Sequence, residues 1–405
     1  MPKRTLMVNV YEAAKQRIAW VFDTFDKIYI SFSGGKDSSV MLHLVMDEAI
    51  KRNKKIGVLF LDLEGQYKLT IDHIKKMFEL YKDHIEPYWV ALPIALRNAV
   101  SQFEPKWTCW EPGKDWIRQP PETAITDQSF FPFYNYNMEF EEFVPKFGEW
   151  YGQGRLTACF VGIRADESLN RYRTIVRDKN KYEDKQYTTW CGHGVYNIYP
   201  IYDWKTQDIW TYNGKFSKPY NKLYDYMQLA GLSIHQMRIC QPYGDDQRKG
   251  LWLFHIIEPE TWSKIVARVN GANSGALYVQ ESGNILGNIK IHKPEGHTWQ
   301  SFAKLLLCSM PEKSRNHFEN KIAVFLKWWY DRGYSNGIPD EADLKAEADK
   351  KTPSWRRICK VLLKNDYWCK GLSFTMTKSE SYERYQKIMK RRKQKWQSMM
   401  RSLGL

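Results

Sequence analysis

The chain has 405 residues, 43% of them hydrophobic and 26% charged, with a formal net charge of +15; that is the balance of a globular protein with enough apolar material for two or three domains, not of a disordered or fibrous chain. No run of about 18 apolar residues is present, and the opening stretch MPKRTLMVNVYEAAKQR carries charges where a secretory signal needs an apolar core, so a cytoplasmic location with no membrane partner is expected. Seven cysteines (109, 159, 191, 240, 308, 359 and 369) stand singly, with no C-x-x-C pair, which excludes a zinc ribbon and leads us to expect no iron–sulfur cluster.

Asn9 to Phe25 carries apolar residues at helical spacing and predicts an amphipathic helix. KIYISFS then reads as a strand, two glycines as a turn, and Ser38 to Lys51 as a second helix. The runs IGVLFLDLE, EPYWVALP, TACFVGIR and YNIYPIYDW have the look of buried strands, with a helix over Tyr67 to Tyr81 after the first. Strands alternating with helices predict an α/β fold with a mainly parallel sheet covered by helices on both faces. Between about residues 97 and 155 this rhythm breaks into a segment rich in Trp, Phe, Tyr and Pro, expected as an insertion over the carboxyl ends of the strands. Its aromatics are more readily local core than a platform for a base.

From Thr206 onward helical patterns dominate, among them PETWSKIVARVNGANSG, HTWQSFAKLLLCSM and NHFENKIAVFLKWWYDRG. From Glu341 to the end, 17 Lys and Arg face 7 Asp and Glu, and RYQKIMKRRKQK (Arg384 to Lys395) is the densest basic stretch. Tyr382, Tyr385, Met389, Trp396 and Met399 fall on one stripe, so this tail is expected as a docked basic helix. Lys390, Arg391, Arg392 and Lys393 are its candidate contacts to DNA or RNA phosphates. The expected division is 1–215 for the α/β domain, 216–340 for a mostly helical accessory region and 341–405 for the basic helical segment.

The most pointed chemistry lies in ISFSGGKDSSV, Ile30 to Val40. A strand that ends in Gly34-Gly35 and turns into a helix presents outward backbone amides at the positive helix end. Lys36 adds a charge, and the hydroxyls of Ser33, Ser38 and Ser39 can donate to phosphate oxygens. This is a phosphate cradle. It is not a Walker A loop, which needs a glycine where Ile30 stands.

The segment SGGKDS resembles the PP-loop of the ATP pyrophosphatase and phosphoadenosine phosphosulfate (PAPS) reductase superfamily. Two further stretches are similar to PAPS reductase segments: GIRADESLNRYR (Gly162 to Arg173) and YPIYDWKTQDIWTY (Tyr199 to Tyr212). The resemblance implies an adenine nucleotide α-hydrolase-like fold and an adenine nucleotide, ATP or a relative, bound with magnesium. It implies Ser33, Gly34, Gly35, Lys36, Asp37, Ser38, Asp62, Gly162, Arg164 and Arg171 as nucleotide contacts, with Lys36, Asp37 and Arg164 as the catalytic set. Arg164 ends a predicted strand and Arg171 stands seven residues later, two helical turns along one face, so both could address one polyanion. Asp62 matches a strand-end acidic position that could contact ribose or hold magnesium, with Glu64 a weaker candidate in the altered turn DLEGQY. Asp203 and Trp204 stand between nucleotide contact and the plain roles of helix cap and buried indole.

The reductases' carboxy-terminal Glu-Cys-Gly-x-His sequence is missing after residue 215. The nearest echo, WCGHG, places Cys191 beside His193 far too early, so a structural cysteine is favoured there. The stretch from Tyr220 to Asn273 resembles the extension of IbrA-type prophage co-activators, which implies a ParB-like partner and a phage or antiphage-defence setting. Within it Arg238, Cys240, Asp245, Asp246 and Arg248 crowd one polar loop, either an accessory site for a metal or base or a solvated turn. Two readings result: an enzyme that cleaves at the α–β phosphate or adenylates a substrate, and a non-catalytic nucleotide-sensing regulator. Thiol-dependent PAPS reduction ranks last.

Overall fold

Short apolar runs bounded by turn residues become strands here, the central ones buried on both faces and covered by the helices between them. The computed structural model describes residues 8–101, 104, 106–176, 181–244, 251–269, 291, 293–294, 296–308, 310, 312–363, 366 and 369–374. In chain order the first elements are α1 (Val10–Thr24), β1 (Lys27–Ser31), α2 (Lys36–Lys51), β2 (Ile56–Leu61), α3 (Lys68–Leu80), β3 (Ile85–Val90), β4 (Ile94–Arg97), β5 (Lys106–Cys109) and α4 (Phe140–Gly152). Next come β6 (Thr157–Val161), α5 (Leu169–Val176), β7 (Thr188–Gly192), β8 (Val195–Ile198), α6 (Thr206–Phe216), α7 (Leu223–Leu229), α8 (Trp252–Ile257) and α9 (Pro259–Arg268). Asn9 starts α1 as predicted, its side-chain oxygen accepting from the Glu12 amide at 2.9 Å.

Six strands form one sheet in the order β3-β2-β1-β6-β8-β7, parallel throughout except for the antiparallel edge pair β7 and β8. The alternation of side chains assigns the two faces. Ile28, Ile30, Val58, Phe60, Ala158 and Phe160 pack with apolar residues of α1, α2, α3 and α6 into one core. Tyr29 points to the other side, its ring 5.3 Å from Phe147 and 5.4 Å from Tyr151 of α4. The expected fold class is thus present, with helices on both faces.

Helix α4 corrects the expectation for one part of residues 97–155, whereas Trp110, Ile117 and Arg118 do contact Asp62 and Glu64 beyond the carboxyl end of β2. Phe143, Phe147 and Tyr151 recur at helical spacing and are buried, so this part of the segment covers a sheet face instead of lying over the strand ends. Phe131, Phe133, Phe143 and Phe147 pack ring to ring with Trp150, the local core that the composition suggested.

The chain divides into two compact units, the first comprising Met1–Ala95, Thr108–Pro242 and Leu253–Arg268, the second Leu96–Trp107, Tyr243–Trp252 and Val269–Leu405. Described by itself, the second is helical, with α10 (Trp299–Cys308), α11 (Glu312–Tyr330), α12 (Leu344–Ala348) and α13 (Trp355–Leu363). Trp299, Phe302, Phe318, Ile322, Phe325, Trp355, Ile358 and Leu362 form its core. Asp340 accepts from the amides of Trp299 and Gln300 at 3.0 and 2.9 Å and so caps α10. Among the described residues no helix is long and apolar enough to cross a membrane.

One side chain fastens α4 to the sheet. The Tyr151 hydroxyl accepts from the Gly57 amide at 2.9 Å and donates to the Ile28 carbonyl at 3.0 Å, both buried. Tyr151→Phe keeps the ring and strands those two backbone groups, so it is expected to lower unfolding free energy by about 1–3 kcal/mol in urea titrations.

Candidate functional site

In this sheet β1 has β2 on one side and β6 on the other, so the connections leaving β1 and β6 run in opposite directions and open a crevice at their carboxyl ends. The two loops that line it are Phe32–Gly35 and Gly162–Arg164. Gly34 turns the first at φ +71°, a conformation that favours glycine, and a Cβ there would stand 3.0 Å from the Ile74 side chain. Gly162 is required for a different reason: a Cβ would lie 2.9 Å from Ser38 Cα and 3.0 Å from its nitrogen, against backbone that has nowhere to go. The two loops therefore press together at the first turn of α2.

Three predicted residues converge there. The Arg164 guanidinium is buried and donates from Nε to Asp37 Oδ1 at 2.5 Å, and from Nη1 more weakly to the Trp204 carbonyl at 3.4 Å. Lys36 Nζ lies 3.1 Å from Asp37 Oδ2 and donates to the Met237 carbonyl at 3.3 Å. One buried carboxylate is thus shared by two cations at a helix N-terminus, with the half-exposed Asp166 carboxylate 3.8 Å from Arg164 Nη1. The Ser33 and Ser38 hydroxyls are 3.0 Å apart, with Ser38 also donating to the Gly35 carbonyl at 3.1 Å.

Contacts from α7 and the loop before it complete the site, and no local pattern announced them. The Lys36 amide donates to the Tyr224 hydroxyl at 2.8 Å, and Asn221 Nδ2 donates to the Gly34 carbonyl at 3.1 Å and to Thr70 Oγ1 at 3.0 Å. Burial, aided by the Asp37 charge, pushes the Tyr224 phenol well above its ordinary pKa and keeps it neutral.

Arg171 does not share a helical face with Arg164, because α5 begins only at Leu169 and Arg164 sits in the loop before it. Arg171 pairs instead with Glu167, whose carbonyl accepts from Arg238 Nη2 at 2.8 Å. Burial raises the Glu167 carboxyl above its ordinary value despite Arg171. Asp62 is fully engaged: Trp89 Nε1 donates to Oδ2 at 2.8 Å, while the Glu64 amide at 3.1 Å and Arg118 donate to Oδ1. Glu64 accepts from the amides of Trp110 and Ile117 at 2.7 and 3.1 Å and from Arg268 Nε at 2.9 Å. Asp203 is not the cap of α6, a position that falls to Lys205; it pairs with Arg17 of α1 at 2.8 and 2.7 Å. Trp204 is the buried indole, its Nε1 donating to the Val10 carbonyl at 3.0 Å.

Cys191 lies in edge strand β7, largely buried, while the side chain of His193 is 89% exposed. Asp245, Asp246 and Arg248, and Lys390, Arg391, Arg392 and Lys393 with the whole basic tail, lie outside the described residues. Among the described residues no three His, Cys, Asp or Glu side chains are grouped to hold a metal.

Comparison with known proteins agrees with the motif reading of the first half. The model of the phosphoadenosine phosphosulfate reductase domain matches residues 27–112 and 134–229, and a domain of unknown function, DUF3440, matches 231–337 and 334–383. The YbdN protein of Escherichia coli (strain K12) is 49% identical over 399 residues, 97% of each chain. Adenosine 5'-phosphosulfate reductase 2 of Bacillus subtilis (strain 168) is 24% identical over 242 residues, 58% of this chain and 83% of its own. Among solved structures, PAPS reductase from Candida auris in its phosphate complex aligns at 14% identity and TM-score 0.32, covering 57% of this chain and 96% of that one. The FMN adenylyltransferase of Candida glabrata aligns at 17% and 0.32, covering 54% and 58%.

Two buried histidines brace α2 behind the loop. His73 Nε2 meets Ser39 Oγ at 2.8 Å; His43 Nε2 must donate to the Pro219 carbonyl at 2.8 Å, which leaves Nδ1 to accept from the Tyr81 hydroxyl at 2.6 Å. Burial lowers both from the ordinary 6.5 to about 4. The unfolded chain therefore takes up these protons first, and stability present above about pH 6.5 is lost as pH falls toward 4. Urea titrations are expected to show a loss of about 2 kcal/mol per histidine between pH 7 and 5, and His73→Gln should remove about half of that slope.

Proposed function

The chain belongs to the family of Escherichia coli YbdN and carries a PAPS reductase-like domain, and on that premise we propose that it binds an adenine nucleotide, ATP or a relative, with the phosphates at the Ser33–Ser38 loop. The observation that carries this is the convergence of the α2 N-terminus, Lys36 and Arg164 on one point of the crevice, two buried cations around one buried carboxylate. Ser33, Gly34, Gly35 and Ser38 would supply amides and hydroxyls to phosphate oxygens, Asp37 would orient the two cations, and Gly162 would keep the second loop close.

In the reaction proposed, an acceptor oxygen attacks the α-phosphorus, the bond from α-phosphorus to the bridging oxygen breaks, and pyrophosphate leaves with the electron pair. The acceptor is left adenylated, or AMP is released when water attacks. Lys36 and Arg164 would stabilise the charge that builds on the departing pyrophosphate. Magnesium fits as a passenger of the nucleotide phosphates, not as a protein-held ion, since Asp37 and Asp62 are committed to cations and amides.

A second reading, a nucleotide-sensing regulator without turnover, is favoured by the contacts of Lys36. Its amide and its ammonium are both held by the 224–237 stretch, so phosphate binding would compete with those bonds and report to that segment. We further propose, from the resemblance of residues 220–273 to IbrA-type co-activators, a ParB-like partner in a prophage or antiphage-defence setting. We likewise propose that Lys390–Lys393 contact nucleic acid, that the chain divides at 215 and 340, and that the protein acts in the cytoplasm.

Calorimetry with ATP and with PAPS, then ion-exchange analysis of products, tests the reading. Lys36→Ala and Arg164→Ala are each expected to weaken nucleotide binding by about 1.5–3 kcal/mol, the scale of a charged hydrogen bond. AMP with pyrophosphate from the unaltered protein would support the enzyme; unchanged affinity in both variants would remove the phosphate from this loop.

A further inference from the structure

A second concavity, of about 420 Å³, has walls from α3, α9 and residues 117–121. Its polar lining is unbalanced. Lys68, Lys75, Arg118 and Lys264 are opposed by two acids, Asp72 and Glu260. Among the described residues none of the three lysine ammonium groups is in an ion pair.

Arg118 is the most telling of the four. Nη2 is spent on Asp62 and, at 3.4 Å, on Gln66 Oε1, and the guanidinium lies over the Trp110 ring at 5.2 Å. Its Nε and Nη1 are buried and have no hydrogen-bond partner. A buried charged donor left without an acceptor is costly, and this charge stands in the wall of the cavity.

The cavity is also preformed. Glu258 accepts from the amides of Lys68 and Leu69 at 2.9 and 3.2 Å, locking the start of α9 to the start of α3. The rings of Tyr67 and Phe254 stack 3.6 Å apart just before it, and Arg268 at the far end of α9 is held by Glu64. Ile71, Ile117, Pro120 and Pro121 supply an apolar wall between the cations. Cations from three separate segments around an apolar wall are the chemistry of a compact anion with a hydrophobic body.

We propose that this cavity binds a small organic anion, a phosphate or carboxylate on an aromatic or short aliphatic body, as a site separate from the Lys36 loop. The test titrates the full chain with phenyl phosphate and with benzoate at low salt, inorganic phosphate serving as the probe without an apolar body. Lys68→Ala/Lys264→Ala, both exposed positions, is expected to weaken phenyl phosphate or benzoate binding about tenfold and to leave ATP affinity within about twofold. Inorganic phosphate is expected to bind more weakly than phenyl phosphate. Lys55→Ala/Lys345→Ala removes the same charge elsewhere and should leave all three affinities alone. Absence of saturable binding of both organic probes, unchanged affinity in the first pair, or an equal loss in the control pair would each overturn the site. Lys36→Ala read against ATP tests the loop separately, so failure of the nucleotide reading and failure of this one give different patterns.

Discussion

The ion pair between Arg164 and Asp37 is the joint on which the site depends. It connects the loop after β6 to the first turn of α2, at the point between β1 and β6 where the connections of the parallel strands diverge. Removing two charges from water is expensive, and a buried pair is seldom retained for stability alone. Here Lys36 brings a second cation to the same carboxylate, and the half-exposed Asp166 stands 3.8 Å from Arg164 Nη1. The backbone permits this closeness only because residue 162 has no side chain, since any Cβ would run into Ser38. A fold that buries two cations around one buried acid at a helix N-terminus has gathered anion-binding donors at its crevice.

Much of this half of the chain was legible because its signals are local. Strand, glycine turn and helix succeed one another within ISFSGGKDSSV, and burial of whole runs such as IGVLFL is written in their composition. The parts that escaped are those in which partners lie far apart in sequence. Tyr224 and Met237 reach Lys36 across 188 and 201 positions, and Arg17 reaches Asp203 across 186. Nothing in spacing distinguishes these side chains from any other tyrosine or arginine. Arg171 shows the converse failure: a seven-residue interval implies a shared helical face only if the helix runs through both positions, and α5 starts too late.

The acids after β2 illustrate how position and role separate. Asp62 stands at the strand end where a ligand contact was expected, yet an indole, an amide and a guanidinium take both of its oxygens. Glu64, in the left-handed region at φ +62°, turns inward and ties together Trp110, Ile117 and Arg268. The aromatic segment and α9 are thus anchored on the β2–α3 turn through buried charge. The same anchoring orients Arg118, so the acids shape their surroundings through the cations they hold.

The Lys36 loop is coupled to residues 221–237, and the coupling has a direction. Its amide and ammonium bond respectively to a side chain of α7 and to a carbonyl at residue 237, while Asn221 holds the Gly34 carbonyl from the same region. A phosphate that draws on the Lys36 amide must share it with the Tyr224 hydroxyl or displace it. That hydroxyl is buried and neutral, and so is a weaker acceptor than an anion. Whatever free energy an anion gains at the loop is therefore reduced by the bonds it loosens in this stretch. By linkage, any partner that strengthens those bonds lowers anion affinity by the same factor.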